Sequence, residues 1–83
     1  MYLHLGLETV VKENDVIGIF DLDSTTVSKH TRNFINKAEK EKKTVIVSYE
    51  LPKSFILSGK NPEVKVYISP LSSLTLYKRI GIL

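Results

Sequence analysis

Lys53-Ser54-Phe55-Ile56-Leu57-Ser58, then Gly59-Lys60-Asn61-Pro62, then Val64-Lys65-Val66-Tyr67-Ile68-Ser69 is the stretch that decides the fold. Two short runs rich in apolar and β-branched residues flank a segment dense in turn formers, which reads as two strands joined by a turn. In the second run Val64, Val66 and Ile68 alternate with Lys65, Tyr67 and Ser69, so one face is predicted wet, and Pro70 ends the strand. Upstream, Thr44–Tyr49 carries Val45, Ile46 and Val47 and is a further strand, punctuated by Pro52. Before it, Thr31, Phe34, Ile35 and Ala38 fall at i, i+3, i+4 and i+7, the apolar stripe of an amphipathic helix over 28–42.

Working outward, Asp15–Phe20 is nearly continuously apolar around Gly18 and reads as a central strand, with room for a close backbone approach at Gly18. Tyr2–Leu5 alternates as a half-buried strand, with Thr9-Val10-Val11 as a short partner. At the far end Ser72 or Ser73 caps a last helix, Leu74–Ile80, whose apolar residues Leu74, Leu76, Tyr77 and Ile80 lie nearly all round it. The order β-β-β-α-β-β-β-α predicts one α+β domain over 1–83. Its sheet is small and mostly antiparallel, with one amphipathic helix and a short C-terminal one.

Eighty-three residues lie near the size at which a single core is only marginally stable, and 42% of them are hydrophobic. The surplus apolar surface, above all Leu74, Leu76, Tyr77 and Ile80, is predicted to pack between subunits of a homo-oligomer. The lack of cysteine excludes a disulfide framework and a thiolate zinc site. No apolar run reaches the roughly 18 residues of a membrane span, and the first residues do not read as a signal peptide, so a cytoplasmic location is expected.

The net charge of +3 is unevenly distributed. Residues 1–28 hold five acids and one base; residues 29–83 hold eleven bases and four acids, or +7. Such asymmetry suits an anionic partner, nucleic acid among them. Lys29, Arg32 and Lys37 on the helix, and Lys53 beyond it, are the candidate phosphate contacts. Lysines outnumber arginines ten to two, which favours diffuse attraction over bidentate base reading. The crowd of bases at Lys40–Lys43 also has a simpler role, complementing the helix dipole.

The motif Phe20-Asp21-Leu22-Asp23-Ser24-Thr25 resembles the first motif of haloacid-dehalogenase-type phosphatases, which would make Asp21 a nucleophile and Asp23 a general acid beside magnesium. No later acidic pair completes such a metal site, and the chain is too short for that fold. A strand end leading into a helix cap accounts for the string, so no catalytic residue, metal or cofactor is assigned. His4 and His30 are far apart and read as solvated or structural.

Met1-Tyr2-Leu3-His4-Leu5-Gly6, with Val16-Ile17-Gly18-Ile19-Phe20-Asp21, resembles the opening of proteins of the RemA/RemB family of bacterial extracellular matrix regulators. Leu51-Pro52-Lys53-Ser54-Phe55, Val66-Tyr67-Ile68-Ser69-Pro70-Leu71-Ser72-Ser73-Leu74-Thr75-Leu76 and Lys78-Arg79 are similar to the same group, RemB-like in particular. The resemblance implies a compact α+β subunit in ring-like oligomers. On the RemA side it implies DNA binding on the ring exterior and activation of biofilm-matrix genes. It also implies an arginine before the strand at 16 and a pair of arginines before the one at 54. This chain has Asp15 and Glu50-Leu51 there, with only Lys53 keeping a base. The expectation is a non-enzymatic, oligomeric, DNA-associated regulator of matrix gene expression. The alternative is a scaffold or adaptor acting through protein partners, a RemA-like protein among them, without DNA.

Overall fold

The computed structural model describes residues 1–22, 29–48, 50–60 and 62–81. The chain runs β1 (Tyr2–Gly6), β2 (Thr9–Lys12), a single 3-10 turn (Glu13–Asp15), β3 (Val16–Asp21), α1 (Lys29–Lys40), β4 (Thr44–Ile46), β5 (Ser54–Ser58), β6 (Lys65–Ser69) and α2 (Ser73–Arg79). β1 and β2 form an antiparallel hairpin. The other four strands form one sheet in the order β3-β5-β6-β4, antiparallel except where β4 runs parallel to β6. The predicted α+β class and its mostly antiparallel sheet are what the chain adopts.

The sheet is the middle of three layers. On one face Leu3, Leu5 and Val11 of the hairpin join Leu76 of α2 over Ile19, Val47 and Ile56. On the other face Ala38 and Ile35 of α1 meet Phe55, Val66 and Ile68. β5 therefore alternates between two cores, Ile56 to one side and Phe55 to the other, and it is one of the two interior strands, with β6 beside it.

Two sequence expectations are corrected here. β3 is an edge strand. Its continuous apolarity does not reflect two covered faces: Ile19 is buried in one core, Ile17 is exposed, and Phe20 stays partly open to solvent while stacked on Phe55 (ring centroids 4.9 Å apart, planes 20° apart). Apolar faces do not require a strand on each side. Second, the face of β6 predicted wet is open only at Lys65, because Tyr67 packs against the hairpin-side core and Ser69 is buried, while Val66 and Ile68 face α1.

Local chemistry fixes the joints. At Gly59 (φ +128°) an added Cβ would collide with the Glu63 carbonyl oxygen, so the β5–β6 turn needs glycine. Gly18 accommodates the ring of Phe20, whose nearest carbons would stand 2.7 Å from a Cβ there. α1 ends where Lys43 N–H bonds the Ala38 carbonyl and Lys42 N–H bonds that of Glu39, with Lys42 left-handed at φ +59°. That is the Schellman arrangement, with lysine where glycine is usual. Ser72 caps α2, its hydroxyl accepting from Thr75 N–H. Buried serines join the layers: Ser69 Oγ donates to the Leu5 carbonyl at 2.6 Å and accepts from Leu71 N–H, and Ser54 Oγ donates to the Leu71 carbonyl.

Candidate nucleic-acid interface

The amphipathic pattern of α1 turns one side to the sheet and leaves the opposite side to solvent. Ala38 is the buried anchor, Ile35 and Thr31 are half-buried beside it, and Lys29 stands half a turn out of phase. Lys29, Arg32, Lys37 and Lys40 are all exposed, as are Asn33 and Asn36 between them. No carboxylate among the described residues forms an ion pair with any of these four cations; the ion pair present joins Lys43 to Glu41 at 3.9 Å. The bases Lys37 and Lys40 lie in the last turn, where the helix dipole favours them. The result is a solvated cationic ridge whose bases have no ion-pair partner among the described residues.

Lys53 is placed differently. It is exposed on the loop before β5, where its N–H bonds the Ser69 carbonyl and its own carbonyl accepts from Leu22 N–H. The backbone is thus held at the end of the sheet where β3 finishes, while the side chain is free to reach outward. Three of the four candidate contacts share one helix, and the fourth is on a separate, anchored loop.

The two acids at positions where the family resemblance implies arginine are separated. Asp15 is half-buried and its carbonyl accepts from Gly59 N–H at the end of β5, whereas Glu50 is exposed on the loop before the start of β5. They stand at opposite ends of β5, whose five residues span roughly 17 Å, so they do not face one phosphate together.

Asp21 has a structural partner, since Ser73 Oγ donates to its carboxylate at 2.6 Å. Asp23 lies outside the described residues. Among the described residues no group of three or more His, Cys, Asp or Glu side chains could hold a metal.

The interface candidates on α2 separate. Leu76 is fully buried in its own subunit's core, and Tyr77 donates its hydroxyl to the Ile19 carbonyl while packing with Ile80 against that core. The apolar girdle of α2 is therefore covered mainly by β1 and β3 of the same chain, which corrects the assignment of Leu76 to a subunit interface. Leu74, 52% exposed, is the member left to solvent. Missed from the sequence was the exposed apolar surface elsewhere: Phe20 (44%), Phe34 (46%), Ile46 (56%) and Leu51 (81%). Alternation could not flag it, because Phe20, Phe34 and Ile46 sit in patterns that read as core, and Leu51 lies in a connection between predicted strands.

Fold and site together define a small three-layer α+β domain with a helical cationic ridge and uncovered apolar edges. Residues 2–80 match the model of the RemA-like family, described as extracellular matrix regulatory protein A-like. The chain is also 40% identical over 80 residues to the extracellular matrix regulatory protein B of Bacillus subtilis (strain 168), covering 95% of this chain and 89% of that protein. This chain belongs to the RemA-like family. No helix among the described residues is long and apolar enough to cross a membrane.

Proposed function

We propose that this chain is a non-enzymatic, cytoplasmic regulator of extracellular matrix gene expression that works as an oligomer and binds DNA through the cationic ridge of α1. Membership of the RemA-like family, and the relative named as an extracellular matrix regulatory protein, support the regulatory role. The observation that carries the DNA half is the set of four exposed cations on one side of α1, none of them in an ion pair among the described residues. A few phosphate contacts per subunit are weak alone; repeated around an oligomer, they gain affinity through effective concentration. Lys53 adds a contact from the loop before β5.

Anisotropy of a labelled AT-rich duplex, titrated with protein across a salt series, tests the reading. Binding at micromolar protein that weakens steeply with salt is the expected result. Reversing the charge of Lys37 and Lys40 should flatten the slope by about 0.9 for each phosphate that is no longer neutralised. An unchanged affinity in low salt would remove α1 from the interface.

Glu50 favours a second reading, an adaptor that works through protein partners. An exposed carboxylate where relatives are expected to place a base repels phosphate and suits a cationic partner. No duplex binding even in low salt would leave this reading standing.

A further inference from the structure

We infer that the groove between α1 and β4 receives the exposed side of α2 from a second copy of this chain, in a head-to-tail contact; the inference rests on the oligomeric reading above and names its interface. The groove has an apolar floor of Ile35, Ile46 and Ile68 and carries Glu39 and Glu50 on its rim. Ile46 is more than half exposed, although it sits on the α1 side of the sheet, because α1 leaves the β4 edge open. Neither rim carboxylate forms an ion pair among the described residues. In a stretch of chain whose net charge is +7, this is an acidic, apolar island.

Its complement is on the same molecule. Leu74 and Lys78 are one turn apart on the solvent side of α2, both exposed, presenting an apolar anchor with a cation beside it. Lys78 likewise has no ion-pair partner among the described residues. An apolar anchor flanked by Lys matches an apolar floor flanked by Glu in both respects, and complementary charges at the rim set register and orientation.

The placement of the two surfaces determines what they can build. α2 packs on β1 and β3, at one edge of the sheet and on one face. The groove lies at β4, the opposite edge, on the other face. Three strand spacings, roughly 14 Å, separate the edges. Surfaces pointing away from one another cannot both engage a single partner, so each subunit uses two different neighbours. Such heterologous contacts close into a ring when the rotation allows.

The test measures mass in solution for wild type, Leu74→Asp, Ile46→Asp and a mixture of the two variants, with circular dichroism melts confirming that each variant folds. Wild type should exceed the mass of the 9.4 kDa subunit. Each variant alone should be monomeric, its dissociation constant raised about thirtyfold or more. The mixture should recover a species of two subunits and stop there, because one variant keeps an intact groove and the other an intact helix. Glu50→Lys and Lys78→Glu should each weaken assembly a few-fold and restore it when combined. A wild-type oligomer untouched by either apolar substitution would overturn this contact and leave the oligomeric reading in place. Monomeric variants whose mixture stays monomeric would also overturn it. A monomeric wild type at high concentration would overturn both.

Discussion

Lys42 and Ser69 show how much single residues decide here. Lys42 holds a left-handed conformation that ends α1, and for a residue with a Cβ that conformation costs about 1 kcal/mol. Lys42→Gly should stabilise the subunit by about 0.5–1 kcal/mol and raise the melting midpoint by several degrees, read by thermal circular dichroism. Ser69 is fully buried and its hydroxyl serves two partners, the Leu5 carbonyl and Leu71 N–H. Ser69→Ala should cost about 1–3 kcal/mol in urea unfolding, since both backbone groups are then left without that hydroxyl. Ser72→Ala removes the α2 cap and should cost about 1 kcal/mol in the same measurement. The serines of the 69–73 stretch read from the sequence as strand end and helix cap, and Ser72 has that role. The reach of Ser69 to a residue 64 positions away was not legible, because no local pattern records a long-range hydrogen bond.

At the scale of elements, apolar patterning located each α-helix and strand among the described residues but not the 3-10 turn at Glu13–Asp15, and the fold class followed from their order. What it could not supply was position within the sheet. β3 and β5 are both apolar runs, yet β3 is an edge with Ile17 and Phe20 partly open to solvent and β5 is an interior strand, since hydropathy records neither hydrogen-bonded neighbours nor which faces end up covered. The same limit applies to α2, where an all-round apolar helix is covered by its own chain over Leu76 and by solvent over Leu74. The cationic ridge was legible because solvated lysines at helical spacing need no tertiary partner to be recognised. Replacing Lys29 and Arg32 with Gln should therefore reduce duplex affinity while leaving the melting midpoint within about a degree or two, as exposed substitutions usually change stability by under 0.5 kcal/mol. A large drop in stability would show that these side chains hold the helix in place and not a ligand.

The whole molecule combines a small interior with several uncovered apolar side chains, and its behaviour should depend on concentration. If subunits assemble, binding an identical partner stabilises the folded state by mass action, so the melting midpoint should rise with protein concentration. Leu74→Asp should abolish that dependence while keeping the midpoint of the dilute protein, and a differential scan over a hundredfold concentration range would check it.

The segment at 2–6 and the helix at 73–79 complete one another: Leu3 and Leu5 share a core with Leu76, and Arg79 donates to the His4 carbonyl across 75 positions. Closing that contact demands that most of the chain already be gathered, which places the event late and makes it slow for a protein of this size. Until α2 docks, the β1–β2 hairpin has only part of its apolar cover. The order of events during synthesis then matters, because the earlier-made strand must wait for the later-made helix. A nascent chain paused before residue 73 would lack the cover that Leu76 gives Leu3 and Leu5, and that apolar pair is what chaperones and proteases would meet.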